Sequence, residues 1–359
     1  MKNLFAAGLM ALASLSALGA EESIATIAFV DGPASLTRGG EALPHPGIGD
    51  EVYDGDLIAT GKGGTLTLAL GKATGMSGSI KLSPDTSFYL SVDTVKGERR
   101  SQAELIGGQL GLKLKKLGGS PGFGVVTESA VCAVRGTEFE VLSSIGGSTL
   151  VACTEGEVSC ASEGSQESAT PGQAVEKVEG AKLARRAVAL ADYESFKAKW
   201  LSGEAAAFKR NAPKAARRIA ARYLELSERL AANREKIAAD GALKAWVEEE
   251  KGGSRAAISG KELDRRLAEA GPLLEESRSI LATMERIAAR VTALEEVVGG
   301  DRAVMASTVR PGVTVKDFFA RFEIAKDKDR ERIVALRKAL KLYRRATAER
   351  EAKREAGAD

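Results

Sequence analysis

The chain changes its apolar period near residue 180. Before that point apolar residues recur at every second position; after it they recur every third or fourth. Period two places one set of side chains on one face of a strand, whereas steps of three and four line one stripe of a helix. In the first half Leu66, Leu68 and Leu70 alternate with Thr65, Thr67 and Ala69, and Phe88, Leu90, Val92 and then Leu110, Leu112, Leu114 repeat the pattern. Turn residues separate the runs: Gly63-Gly64, Ser83-Pro84-Asp85, Gly107-Gly108, Gly118-Gly119 and Gly146-Gly147. Many short strands with regular turns predict a mainly β domain, a sandwich, roll or barrel. No long helical pattern interrupts them, which argues against a doubly wound fold.

The second half predicts helices. Ile219, Tyr223, Leu226, Leu230 and Ile237 keep coiled-coil spacing, with Asn233 interrupting the seam. Ile280, Met284, Ile287, Val291, Leu294 and Val298 form a second seam, and Ile333, Leu336, Leu340 and Tyr343 a third. Gly252-Gly253 and Gly299-Gly300 separate them. Ser259 and Thr314 are candidate N-caps, the latter with Asp317 three residues on. Pro213 and Pro272 are expected to start, kink or stop a helix. An elongated antiparallel hairpin or a three-helix bundle is the expected form, an all-α, coiled-coil-like C-terminal half.

Charge and glycine change at the same place. Residues 21–180 hold 12 basic and 21 acidic side chains, a net of −9, with 27 glycines; residues 181–359 hold 39 and 28, a net of +11, with 10. The expected domains are therefore 21–180 and 181–359, joined near Gly180. Residues 1–20 have the three-part layout of a secretory signal peptide: Lys2, an apolar run Leu4–Leu18, then small Gly19 and Ala20. The run falls short of the ~20 apolar residues of a membrane span, and no later segment could cross a bilayer. The expected product is exported, periplasmic or secreted in a bacterial envelope.

The first half carries motifs in a recognisable order. Asp54-Gly55-Asp56-Leu57-Ile58-Ala59-Thr60-Gly61 is followed by Ile80-Lys81-Leu82-Ser83-Pro84-Asp85-Thr86 and by Glu104-Leu105-Ile106-Gly107-Gly108-Gln109-Leu110. Next come Ala133-Val134-Arg135-Gly136-Thr137-Glu138-Phe139-Glu140-Val141, Glu155-Gly156-Glu157-Val158 and Pro171-Gly172-Gln173. Over roughly residues 25–180 this resembles the FecR domain. The resemblance implies an extracytoplasmic all-β module without enzymatic activity. Founding members pass iron-uptake signals from an outer-membrane transporter to a cytoplasmic sigma factor, through a cytoplasmic segment and one membrane span. Here the apolar run begins at Leu4, so no cytoplasmic segment and no direct sigma-factor regulation are expected.

Within the motif, Arg135 could fork onto an oxyanion. The structural alternative is preferred: Gly136 turns a corner between strands, Arg135 pairs with Glu138 or Glu128 or caps carbonyls, and Phe139 and Val141 enter the core. Arg135, Gly136, Thr137, Glu138 and Phe139 are thus motif residues with an expected structural role. Asp54 and Asp56 flank Gly55 as in a calcium loop, but the remaining EF-hand ligands are absent and a plain acidic turn is preferred. Gly61-Lys62-Gly63-Gly64-Thr65 lacks the order of a phosphate loop.

The one histidine, His45, stands between Pro44 and Pro46 as a loop residue, which excludes multi-histidine metal sites and weakens any Ser/His/Asp or Cys/His triad. No catalytic residue, metal or cofactor is expected. Three cysteines cannot build a disulfide framework. A two-residue turn at Glu155-Gly156 would put Cys160 diagonal to Cys153, ~7–8 Å away and too far for a bridge, so Cys132, Cys153 and Cys160 are expected as buried thiols. The basic half interleaves acids, and export argues against nucleic acid. Its tail, with Arg337, Lys338, Lys341, Arg344, Arg345, Arg350, Lys353 and Arg354, reads first as a solvated helix face. The expected function is a non-catalytic envelope sensor or adaptor for a protein partner or ligand, able to oligomerise through its helices. The alternative is a cell-wall or polysaccharide-associated module held by the basic helices.

Overall fold

The computed structural model describes residues 22–359 apart from 39–40, 96–97, 117–121, 135, 179, 240–259, 327, 330–342, 344–345, 348–349, 351–353 and 355–359. Residues 1–20, Ser259, Gly118-Gly119, Gly252-Gly253 and the seam residues Ile333, Leu336 and Leu340 lie outside the described residues, as does Arg135.

The β half comprises β1 (Ala25–Asp31), β2 (Ala34–Arg38), β3 (Glu41–Pro44), β4 (Glu51–Val52), β5 (Leu57–Thr60), β6 (Thr65–Leu70), β7 (Met76–Leu82), β8 (Ser87–Val95) and β9 (Glu98–Lys116). It continues through β10 (Phe123–Val126), β11 (Val131–Val134), β12 (Glu138–Ser143), β13 (Thr149–Glu155), β14 (Val158–Ser162), β15 (Ser165–Ala169), β16 (Gln173–Lys177) and β17 (Ala184–Ala187). These form two sheets. Sheet I runs β4-β1-β6-β7-β9-β12-β13-β16-β17, and sheet II runs β3-β2-β5-β8-β9-β10-β11-β14-β15.

Strand β9 belongs to both sheets. Gly107 still pairs with Ser87 of sheet II, whereas Gly108 pairs with Ser143 of sheet I. After β9 the hairpins alternate: β10–β11 in sheet II, β12–β13 in sheet I, β14–β15 in sheet II, β16–β17 in sheet I. The period-two leucines face inward as expected. Leu66, Leu68, Phe88, Leu90, Leu110, Leu112 and Leu114 share one buried core drawn from both sheets.

Two expectations fail here. Glu155-Gly156 is no hairpin turn: β13 pairs with β12 and β16, and β14 with β11 and β15, so the chain crosses between sheets at Gly156. In consequence Cys132 of β11 lies directly opposite Cys160 of β14, and the two form a disulfide with Cα atoms 4.1 Å apart. Only Cys153 is a buried free thiol. The sheet also continues past Gly180, since β17 pairs with β16.

Helix α1 (Tyr193–Ala239) and helix α2 (Gly260–Val298) pack antiparallel. Arg229 meets Glu276 at 2.6 Å, while Ile237, further along α1, packs near Leu274 and Ala270. At 39 residues α2 is about 58 Å long if straight. Pro213 and Pro272 sit inside these helices and stop neither. Each proline forfeits one helical hydrogen bond, and flanking Ala212, Ala215, Ala216 and Ala270 are buried, so packing holds both turns. The expected seams are the core: Ile219, Tyr223, Leu226 and Leu230 interlock with Ile280, Met284, Ile287, Val291, Leu294 and Val298. A short helix, α3 (Arg302–Ala306), leads into the ribbon β18 (Thr308–Arg310) and β19 (Val313–Thr314).

Thr314 then caps a helix over 315–326. Its Oγ1 accepts the Asp317 N–H at 3.1 Å, and the Asp317 carboxylate accepts the Thr314 N–H at 2.9 Å. Phe318, Phe319 and Phe322 of this segment join the two-helix core against Tyr223.

Candidate functional site

The motif segments, far apart in sequence, meet where β9 changes sheet. Thr60 is buried; its hydroxyl donates to the Ser83 carbonyl at 2.6 Å and accepts the Thr86 N–H at 3.1 Å. The Thr86 hydroxyl in turn accepts the Gln109 N–H at 3.0 Å, and the Asp85 N–H donates to the Gly61 carbonyl at 3.2 Å. Gly108 has φ +95°, and a Cβ there would lie 2.4 Å from Thr86 Oγ1 and 2.5 Å from its Cα. Glycine is required at this crossing by both conformation and space. Three motifs are thus one knot binding β5, the β7–β8 turn and β9.

A second crossing holds the Arg-Gly-Thr-Glu-Phe stretch. Gly136 has φ +76° and carries the chain from β11 in sheet II to β12 in sheet I. The Thr137 carbonyl accepts the Leu114 N–H at 2.9 Å, Glu138 pairs with Lys113 at 2.9 Å, and Phe139 is buried in the core. The return crossing at Gly156 runs against it: a Cβ on Gly156 would sit 2.7 Å from Thr137 Cγ2 and 3.0 Å from the Gly136 carbonyl oxygen. Of the two acids considered as partners for Arg135, Glu138 meets Lys113 and Glu128 meets Arg290.

The acidic turn is also structural. Asp56 is buried and accepts from Arg38 at 2.9–3.2 Å and from the Tyr53 N–H at 2.9 Å. Asp54 accepts the Val92 N–H at 2.9 Å. Both carboxylates fasten strands, and the Arg38 partner was not signalled by any spacing in sequence. His45 is exposed, with φ +59°. Among the described residues no group of three or more His, Cys, Asp or Glu side chains could hold a metal ion, and no helix is long and apolar enough to cross a membrane.

Residues 56–159 match the FecR protein family. Two crystal structures of a "putative anti-sigma factor" from Parabacteroides distasonis, at 1.65 and 2.50 Å, are similar at 16% and 15% identity. Each likeness covers 39% of this chain with a TM-score of 0.32, and this chain spans 63% of theirs. No curated protein matches.

The FecR domain and the helices meet through ion pairs and through hydroxyl groups that donate to carboxylates. Along α2, Glu285 accepts from the Tyr89 hydroxyl at 2.5 Å, Arg286 donates to Glu104 at 2.6 Å, and Arg290 pairs with Glu128. From α1, Lys197 meets Glu140 at 3.1 Å, and Glu204 accepts from the Ser144 hydroxyl at 3.0 Å. Tyr193 donates to Glu140 at 2.8 Å; burial, with the Glu140 charge, pushes its pKa well up. Burial opposes the Lys197 charge, but Glu194 and Glu140 outweigh it and raise its pKa. Beneath these contacts Leu142, Leu150, Ala152 and Ala174 form an apolar outer face of sheet I, covered by Val188, Tyr193 and Trp200. Strand β13 is accordingly buried on both faces over Thr149–Cys153.

Two cavities flank this junction. One, of about 930 Å³, opens on the outer face of sheet II over Gln102, Gly124, Ala133, Ser159 and Ser168, with Arg278 of α2 on its wall. The other, of about 300 Å³, lies between the β12–β13 loop, α1 and Arg290. The sequence marked the motif strands but neither cavity: the smaller is made by the second half docking on the first, and the larger by strands brought together from distant parts of the sandwich, with Arg278 added from α2. In the tail, Arg350 and Arg354 are held by Asp264 at 2.8–2.9 Å.

Proposed function

We propose that this is an exported, non-catalytic envelope protein, a sensor or adaptor in which the FecR domain and the helices together present a partner-binding surface. The observation that carries the reading is the wide cleft on sheet II. Its floor, formed by Gly124, Ala133 and Ser159, lies inside the FecR match and beside the Arg-Gly-Thr-Glu-Phe crossing, while Arg278 belongs to the helical half. Small side chains on this sheet face leave room for the side chains of an incoming polypeptide, and the Ser159 and Ser168 hydroxyls line the cleft. The contacts of Thr137, Glu138 and Phe139 at the crossing between the sheets support a binding role over a reactive one. The "putative anti-sigma factor" likeness is in keeping with regulation but identifies no partner.

The test is affinity capture from envelope extracts with the parent protein and with Ala133→Arg, which fills the exposed cleft floor. Capture of one defined protein by the parent and its loss in the variant is the expected outcome. Sedimentation of the parent with purified cell wall, without a captured protein, would favour the polymer-binding alternative instead.

A further inference from the structure

We propose that the middle of helix α1 is a docking surface for an anionic phospholipid bilayer. Residues 205–224 hold six basic side chains, Lys209, Arg210, Lys214, Arg217, Arg218 and Arg222, and no acid. Helix α2 is different: six bases interleave with eight acids along its length.

Elsewhere the helical cations are paired. Arg229 meets Glu225 and Glu276, Arg265 meets Glu262 and Glu269, and Arg278 meets Glu275. Within the basic stretch Arg222 reaches Glu225, Arg218 is also engaged, and Lys214 shares the smaller cavity with Glu204. Lys209, Arg210 and Arg217 are exposed and, among the described residues, have no ion-pair partner. Neither helix stability nor the helix dipole accounts for them. Like charges three or four residues apart, as in Arg210, Lys214 and Arg217, repel on a helix surface. Basic side chains gain from the dipole only in the last turn, and this stretch lies at the centre of Tyr193–Ala239.

The character of the surface selects the partner. A protein partner is anchored by large apolar or aromatic side chains at the centre of its interface. Here Phe208, Ile219 and Tyr223 are turned into the helical core, and the exposed uncharged residues beside the cations are Ala205, Ala206, Asn211 and Ala221. Arg210 and Arg217 stand about two turns apart, and Lys209 to Arg217 spans about 12 Å along the axis. A short row of cations without an apolar anchor suits a charged plane. Basic side chains clustered on a helix adsorb to anionic lipid with about fivefold in affinity for each charge. This surface goes beyond the sensor reading and does not depend on it.

The experiment sediments the full chain with vesicles of phosphatidylcholine, alone or mixed with an equal part of phosphatidylglycerol. The apolar run Leu4–Leu18 would hold either bilayer, so the quantity read is the difference between the two. The parent should bind the anionic vesicles more tightly, and the excess should vanish in 1 M sodium chloride, where the screening length is about 3 Å. Lys209→Gln, Arg210→Gln and Arg217→Gln should each weaken that excess affinity about fivefold, and the three together about a hundredfold. Arg265→Gln removes the same charge from an exposed ion pair on α2 and should leave it unchanged. Equal binding to the two vesicles, or a triple variant that binds as the parent does, would overturn the proposal. So would an Arg265→Gln loss as large as that of Arg210→Gln, which would make net charge the cause. Sedimentation with purified cell wall in place of vesicles, lost in the triple variant, would give the row to a polymer and overturn it as well.

Discussion

The sandwich and the helical half solve the same problem with different means. The sandwich core is apolar throughout its centre, and its polar fastenings sit at the corners, where hydroxyls and glycines lock one chain crossing against another. The helical half puts polar groups inside its seam. Asn233 donates to Ser277 at 3.3 Å, and buried Asp329 accepts from Tyr223 at 3.0 Å and Ser227 at 3.1 Å. Sheets fix register through the ladder, so the sandwich needs pins only where strands change layer. Helices slide along a uniform apolar seam, and a buried polar pair supplies the register that backbone bonding does not.

The largest expected effect follows from that difference. Gly108→Val puts a branched side chain at a positive φ and into the Thr86 backbone. It should destabilise the sandwich by about 3 kcal/mol or more. Urea unfolding followed by far-ultraviolet circular dichroism reads this directly, and a midpoint close to the parent's would dissolve the idea of a corner knot.

Next in size is the disulfide. Cys132 and Cys160 are separated by 28 residues in sequence and join two hairpins of sheet II. Replacing both by Ser should cost about 2–4 kcal/mol. Thiol titration of the denatured, unreduced protein should find one free thiol, Cys153. Three would show that the bridge does not form.

The sequence made some of this legible and concealed the rest for physical reasons. Alternation exposed the inward leucines because a sheet face repeats every two residues whatever it packs against. The first two helical seams were legible because a helix face repeats every three or four residues, as was the capping pair Thr314 and Asp317. The sheet order was not. Strands β13 and β14 are separated by two residues, yet they belong to opposite layers, and no local signal distinguishes a crossing from a hairpin. The error over the cysteines followed at once. The apolar outer face of sheet I was hidden too: Leu150 and Ala152 between Val151 and Cys153 read as an unbroken run, which alone cannot show that Trp200 covers it. Asp56 was read as an acidic turn because its partner Arg38 is 18 residues away with no spacing rule between them.

In the helices, removing the buried acceptor is the sharper test. Asp329→Ala takes away the carboxylate that accepts from Tyr223 and Ser227 in an apolar seam, at a cost of about 1–3 kcal/mol. Tyr223→Phe should cost less in that background than in the parent, because the bond it would break is already gone. Equal costs of Tyr223→Phe in the two backgrounds would mean that this bond contributes nothing to register, and the contrast with the sandwich would weaken.

The smallest effect lies at the junction between the two halves, and it decides how they are coupled. Arg286 and Glu104 are 15% and 21% exposed at their side chains, so water still reaches the pair. Glu104→Gln and Arg286→Gln, singly and together, should give a coupling of about 0.5–1.5 kcal/mol. The coupling should shrink in 1 M salt, where the screening length is about 3 Å. The apolar contact of Trp200 with Leu142 and Leu150 is indifferent to screening. A coupling of zero, with a melting profile independent of salt, would mean that the apolar cluster around Trp200 docks the helices without help from charge and that the opposite charges of the two halves are an accident of composition. A measurable coupling that salt removes would show instead that the −9 of one half and the +11 of the other meet at named residues, and that ionic conditions can tune how firmly the helices hold the FecR domain.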